Sequence, residues 1–353
     1  MSTSPDLNPF FIGFILSIPN GMPMTGKEFV KRLLEEKLLL PPLAGYTDYP
    51  YRRILAEYDA PFICTEMVSC EAVVRGNPRT QRMLLMPEGA HLNGAQLFGE
   101  KPASMAAAAE IIEYLGFDYV DINMGCAVKT VTQNGAGVSL MGDPEKAARV
   151  VRQVVEAVSI PVTCKIRLGA SRGELNAVEL AEMLEDAGVS AITVHGRSGE
   201  KKFGENVDLK AIRMVAETVD VPVVGNGSVY GGADAVVMME SAGVDAVMPG
   251  RGLIGNPWII TEIRSAYNGV SYVEPSLTER KTTCRRHLEY LIEYSGEKDG
   301  VLTMRRVLPR YFMGAVHASD LRIRMTQIST VQDALDELDK IVQTDDNIIY
   351  MKN

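Results

Sequence analysis

The sequence predicts an α/β fold: a closed (β/α)8 barrel followed by a small helical domain. Three observations carry that prediction. Short apolar runs alternate with helical patterns along most of the chain. A glycine recurs between the end of a helical pattern and the next strand, in YLGFD, DAGVS and SAGVD. Beyond about residue 270 the strands cease. Strands that alternate with helices imply right-handed crossovers and a parallel sheet, and eight such units closing on themselves make a barrel of roughly 250 residues.

The elements follow in order. Residues 1–37 form an N-terminal extension to which no function is assigned. Its apolar run 10–18 (FFIGFILSI) is too short to span a bilayer and lacks a preceding basic flank. It is expected to pack on the main domain. A helix is expected over 27–37, with Phe29, Val30, Leu33 and Leu34 at helical spacing. The run LLLPPL at 38–43 reads as the first strand and leads into an Ala44-Gly45 loop. Asp48 can cap the next helix, which Tyr51, Ile54, Leu55 and Tyr58 make amphipathic. Further strands are expected at 62–65, 91–97, 117–122, 162–167, 191–195, 221–224 and 246–248, which with the first makes eight. Helices fall at 103–114, 145–157, 177–186, 209–218 and 232–241. The barrel domain thus covers 38–270. Asn268-Gly269 and Pro275-Ser276 break the pattern there, and 271–353 is expected to be helical, at 282–294, 301–316 and 331–342, without strands.

Composition narrows the function classes. With 353 residues, 46% hydrophobic and 23% charged, the chain is globular and not disordered. A net charge of −9 argues against wholesale nucleic-acid binding unless basic residues are concentrated locally. Five cysteines stand singly at 64, 70, 126, 164 and 284. That odd number without a Cys-x-x-Cys pair indicates neither a disulfide frame nor a zinc knuckle, and points to a reducing cytoplasm. Four histidines argue against a metal cluster. A cytoplasmic monomer with no membrane attachment is expected.

In a barrel, the loops at the C-terminal strand ends converge on one mouth. Read in order, those ends carry Pro42-Leu43-Ala44, Glu66, Gln96, Asn123 with Cys126, Lys165 with Arg167, His195, Asn226-Gly227-Ser228 and Gly250-Arg251. Nearly all are polar or glycine, while the strands behind them are apolar. The stretch DINMGCAVKTVTQNGAG (121–137) is the centre of this set. A free cysteine is ordinarily a small buried hydrophobe, but Cys126 sits among Asn123, Lys129, Asn134 and glycines 125, 135 and 137, which suit a working thiol better. The glycine-rich turns after the seventh and eighth strands fall where barrels commonly cradle a phosphate on backbone N–H groups. Arg251 can add a charge-assisted bond. Lys165, if it points into the barrel, needs an anionic partner. A reduced flavin, negative at its N1–C2=O edge, would supply one; facing outward, the lysine would be solvated or ion-paired. His195 reads equally as a structural histidine.

The motifs PPLAGYTDYPYRR, GAQLFG, DINMGCAVKTVTQNGAG, TCKIRLG, TVHGRS, VVGNGSV and MPGRGLIGNPW occur in an order and spacing that resemble one family. The chain resembles the flavin-dependent tRNA-dihydrouridine synthases, especially their bacterial B-type branch, over residues 38–325. The resemblance implies FMN bound by Pro42, Leu43, Ala44, Gln96, Lys165, Asn226, Gly227, Ser228, Gly250 and Arg251, with His195 nearby. It implies NADPH as reductant, Cys126 as general acid and a tRNA uridine as substrate. Two positions depart from the family pattern: Ala127 stands where proline usually follows the cysteine, and Leu43 where methionine is common.

That chemistry agrees with the residues. Hydride addition at C6 of a uracil pushes negative charge onto C5 and O4, so a proton donor on the far face and donors to the carbonyl are needed. Asn123 and Arg167 are the candidates for holding the base. A base in folded tRNA must be extruded, so the backbone has to be gripped elsewhere. Residues 303–325 carry Arg305, Arg306, Arg310, Arg322 and Arg324 against the single acid Asp320. This basic helix pair suits phosphate contacts, which Arg75, Arg79, Arg82 and Lys129 can extend across the mouth. It suits equally a cationic face paired with the acidic residues Asp333, Asp336, Glu337 and Asp339. Two other functions compete: reduction of a free pyrimidine or enone by the same barrel, and a tRNA-binding regulator or chaperone without turnover.

Overall fold

The computed structural model describes residues 23–171, 173–200, 206–344 and 347–351. The apolar run 10–18 therefore lies outside the described residues. Strands β1 (Ile63–Cys64), β2 (Val68–Ser69), β3 (Asn93–Phe98), β4 (Tyr119–Asn123) and β5 (Val162–Arg167) come first. They are followed by β6 (Gly169–Ser171), β7 (Glu174–Leu175), β8 (Ala191–His195), β9 (Val223–Asn226) and β10 (Ala246–Met248). The main sheet runs β1-β3-β4-β5-β8-β9-β10, parallel at every pairing, with β2 also on β3. Residues 38–40 close the ring as the eighth barrel strand. Leu39 N donates to Val247 O (3.0 Å) on one side and Leu40 N to Phe62 O (3.2 Å) on the other. The (β/α)8 barrel expected from the sequence is the observed one.

Alternation along each strand sorts the side chains into two cores. Val120, Ile122, Cys164, Ile166, Ile192 and Val194 belong to the large cluster between the strands and the surrounding helices. Their neighbours Tyr119, Ala191, Val224, Ala246 and Met248 fill the barrel interior with Leu39 and Phe62. Gly94 is required there: a Cβ on it would lie 2.1 Å from the Tyr119 ring. The floor is plugged by helix Gly26–Glu36, begun by a Thr25–Glu28 capping box. Its Phe29 and Leu33 are fully buried against the interior cluster. Part of the expected N-terminal extension thus packs as barrel core. By the same alternation Lys165, between outward-facing Cys164 and Ile166, points inward.

The C-terminal region joins the outer core without a break. Leu288, Leu291, Val301 and Met304 share that cluster with barrel residues, and His287 stacks on Tyr51 with ring centroids 5.0 Å apart. The helical run Leu277–Tyr311 is broken at Gly296 (φ 80°, ψ 165°), so it is two helices folded against each other. Three expectations for this region need correction. The helix expected at 301–316 stops at Tyr311, and a separate helix, Ala318–Met325, follows. The chain reverses between them through left-handed Gly314 (φ 88°) and His317 (φ 64°). The tail is also not free of strands: β11 (Ile341–Gln343) pairs antiparallel with β12 (Ile348–Tyr350). The helix expected to 342 ends at Asp339, because Ile341 and Tyr350, both buried, are recruited into that hairpin. Among the described residues no helix is long and apolar enough to cross a membrane.

Phe29→Ala removes a large interior side chain from the barrel floor. A loss of about 3–5 kcal/mol is expected, read as a lowered midpoint in chemical denaturation.

Candidate active site

A pocket opens at the C-terminal ends of the barrel strands, enclosing about 1060 Å³ with its solvent-open mouth included. It is lined by Pro42, Leu43, Ala44, Gln96, Asn123, Cys126, Lys165, Arg167, His195, Asn226, Gly227, Ser228, Gly250 and Arg251. The eleven residues that the resemblance assigns to FMN therefore share one cavity with Cys126, Asn123 and Arg167. Strand register explains the convergence. Asn123 lies beside Lys165, Arg167 beside His195, and His195 beside Asn226, each pair on adjacent strands.

Below the mouth runs a buried polar chain. Asp121 accepts from Thr163 Oγ1 (2.6 Å) and from Gln96 Nε2 (2.6 Å). Gln96 Oε1 accepts from Asn123 Nδ2 (2.8 Å), and Asn123 Oδ1 accepts from the backbone N of Cys126 (2.9 Å) and of Gly125 (3.2 Å). A carboxylate inside the barrel thus fixes, through two amides, the loop that carries the thiol. From the other side Arg167 Nε donates to Gly125 O (2.6 Å), and Val138 N donates to Cys126 O (3.0 Å). Gly137 must be glycine there: its φ is +61° and a Cβ would lie 2.5 Å from Cys126 O. The Cys126 side chain is half-buried, while Lys129, on the short helix that follows, is exposed.

Burial dominates the electrostatics. It pushes the Asp121 carboxyl up to about 6, against its hydrogen bonds to Gln96 and Thr163. It pulls the Lys165 ammonium down to about 8, with Arg167 adding repulsion and Asp121 opposing it. Lys165 Nζ donates to Asn226 Oδ1 (3.1 Å), and Asn226 Nδ2 donates to Met248 O (2.9 Å). His195 is held neutral, its imidazole lowered to about 2 by burial and then by Lys165, Arg167 and Arg197. Gly227 (φ 117°) and Ser228 (φ 56°) give a left-handed turn after β9, and a Cβ at Gly250 would meet open space.

Sequence reasoning passed over Asp121, Thr163 and Arg197. The first two occupy the same inward phase as Asn123 and Lys165, so strand alternation could have singled them out. Arg197 carried no signal of its own beyond following His195.

The basic residues of the tail have separate fates. Arg305 Nε donates to Ile328 O (2.8 Å), holding the tail together. Arg324 pairs with Glu337 (2.8 Å). Arg306 is exposed and reaches the barrel, its guanidinium 5.7 Å from the Tyr46 ring centroid. Arg310 is half-buried in a neighbouring cleft with Tyr230, Arg251 and Tyr272. Arg322 is exposed. Tyr311 and Phe312, which lie among these arginines in sequence, are buried in the core. No group of three or more His, Cys, Asp or Glu side chains placed to hold a metal occurs among the described residues.

A parallel barrel with chemistry-bearing side chains gathered at its C-terminal mouth has the architecture of barrel enzymes. Histamine dehydrogenase from Rhizobium sp. 4-9 has a similar fold: TM-score 0.51 at 16% identity, covering 72% of this chain and 49% of that one. The family profile described as dihydrouridine synthase (Dus) matches residues 39–347. The chain is 36% identical over 314 residues to the probable tRNA-dihydrouridine synthase 1 of Synechocystis sp., spanning 88% of each. It is 33% identical over 282 residues to tRNA-dihydrouridine synthase B of Pasteurella multocida, spanning 80% of this chain and 85% of that one. The class is therefore that of barrel oxidoreductases. Within it, this chain belongs to the dihydrouridine synthase family.

The shifted lysine has a measurable consequence. Between about pH 8 and 10.5 the unfolded chain binds a proton at Lys165 that the folded one releases, so the Lys165 contribution to folded stability rises with pH across that window. In ligand-free protein the slope should approach about 1.4 kcal/mol per pH unit at its steepest. Burial raises the thiols of Cys64, Cys70, Cys164 and Cys284, which pull stability the other way over the same range. The rise should therefore be read in urea titrations as the difference between wild type and Lys165→Met.

Proposed function

We propose that this protein is an FMN-dependent, NADPH-driven tRNA-dihydrouridine synthase that reduces the C5–C6 bond of a uridine in the tRNA D-loop, with Cys126 as proton donor. The observation that carries the proposal is the shared cavity: one half-buried thiol, one half-buried inward lysine and the glycine turns after β9 and β10 face the same space.

The residues fit a flavin mononucleotide. Lys165 is a half-buried cation whose hydrogen bond goes to a neutral amide, while the nearby carboxylate Asp121 is taken up by Gln96 and Thr163. An anionic ring edge is what such a cation lacks. Gly227, Ser228, Gly250 and Arg251 would hold the phosphate, and Pro42, Leu43, Ala44 and Gln96 would border the ring, with His195 nearby. When bound, FMN reduced by NADPH supplies a hydride to C6 of the uracil.

The protein's own groups complete the reaction. Cys126 Sγ–H gives its proton to C5 as the C5–C6 double bond becomes single, and the resulting thiolate regains a proton from solvent. Asn123 and Arg167 fix the cysteine loop through its backbone, and their position at the mouth suits them to orient the base as well. Partial burial of the pocket strengthens each of these contacts.

The substrate base has to leave the tRNA stack to reach this depth. We propose that exposed Lys129, Arg306 and Arg322 contact phosphates, with Arg310 beside the mouth and the 271–353 region as the tRNA-binding part. Arg305, committed to Ile328 O, would contribute by holding that region in shape. We read the protein as a cytoplasmic monomer.

Cys126→Ala should keep its yellow flavin and its NADPH-driven bleaching, yet lose dihydrouridine formation by about 10²-fold or more, scored by mapping modified positions in tRNA. Undiminished product would remove the cysteine from the chemistry. tRNA binding by the wild type without any reduction would favour a regulator.

Lys129→Gln and Arg306→Ala should each weaken tRNA binding and lower the slope of log affinity against log salt by about 1. Flavin content should not change. Flavin loss in either variant would mark that side chain as structural.

A further inference from the structure

The proposed chemistry leaves one well-built contact unexplained. Arg197, only 6% exposed, lies at the end of β8 with its guanidinium between two strand ends. Its Nη1 is 3.1 Å from His195 Nε2, and its Nη2 donates to Ser228 Oγ at 2.8 Å. A guanidinium has only donors and stays protonated in proteins. The contact to His195 is therefore a hydrogen bond only if Nε2 offers its lone pair. Since a neutral imidazole carries one proton, that proton must then sit on Nδ1.

The packing of the ring points the same way. Gly227 covers the Cδ2–Nε2 edge: a Cβ there would lie 2.9 Å from Cδ2 and 3.3 Å from Nε2. The opposite edge, which carries Nδ1, is away from both Gly227 and Arg197, and the ring is half-buried at the pocket wall. The cations Lys165, Arg167 and Arg197 all oppose a second proton on the His195 ring.

We propose that Arg197 is a positioning residue that locks His195 as the neutral Nδ1–H tautomer, so that the pocket is presented with a hydrogen-bond donor. A ligand seated there would have to offer an acceptor, a carbonyl oxygen or an anionic ring nitrogen, at the His195 position. Through Ser228 the same guanidinium ties this donor to the left-handed turn after β9. Arg197 thus sets ring orientation and turn geometry together.

The test is the tautomer itself, read on full-length protein as purified. Uniformly ¹⁵N-histidine-labelled protein is examined by long-range ¹H–¹⁵N correlation, whose cross-peak pattern distinguishes Nδ1–H from Nε2–H. The four histidines are separated by loss of one set of peaks in His195→Asn. The expected wild-type pattern is Nδ1–H, favoured by about tenfold or more over the other form, as a hydrogen bond to a charged group implies. Arg197→Met should lose that preference, and Arg197→Lys, which also only donates, should restore it. An Nε2–H or doubly protonated ring in the wild type would overturn the proposal. So would an unchanged Nδ1–H pattern in a folded Arg197→Met. Because the readout is the imidazole, it decides this question whether or not the protein carries a flavin.

Discussion

A carboxylate inside a closed barrel has to be satisfied by whatever the neighbouring strands place beside it, and Asp121 is satisfied by Gln96 and Thr163. The rest of the site depends on that constraint. Gln96, its amide oriented by the carboxylate, presents its oxygen to Asn123, whose own oxygen then holds the Cys126 backbone. Four side chains, from β3, β4 and β5, thereby translate barrel closure into the placement of one thiol. Burial that raises the Asp121 carboxyl toward neutrality also makes its hydrogen bonds hard to replace with water.

The same low-polarity interior governs the cations. Lys165, Arg167 and Arg197 all lean toward the pocket, yet each is tied differently. Arg167 donates to Gly125 O and Ser198 O, and Arg197 to His195 and Ser228, so both arginines act as braces between loops. Lys165 alone spends its hydrogen bond on an amide oxygen at the mouth. The result is a braced rim with one half-buried charge facing the pocket.

The helical tail is built into the barrel by the outer core, and this settles which of its arginines are surface groups. Arg305 and Arg324 are consumed by Ile328 O and by Glu337. The pairing with the acidic last helix therefore holds in part: Arg324 balances Glu337, while Arg306 and Arg322 stay exposed. Spacing along the chain could not separate the two, because neighbouring arginines on one helix point in different directions.

By itself the sequence determined the barrel, since period-2 apolar runs interleaved with helical patterns leave few ways to bury both faces of a parallel sheet. It also determined the mouth: polar residues and glycines at successive strand ends had to meet once the ring closed, and Cys126, Lys165, His195 and Asn226 do. Only the tertiary structure decided what each of them touches. Asn123 and Arg167, legible as polar groups at the mouth, are bonded to the cysteine loop. Asp121 and Thr163 became visible as parts of the site through strand register, and Arg197 through its contacts to His195 and Ser228. The tail hairpin of β11 and β12 stayed hidden because three-residue strands are specified by their partners and not by their own pattern. Hydrogen-bond partners and register are relations between segments distant in sequence, and a pattern read along the chain carries the period of an element but not the identity of its neighbour.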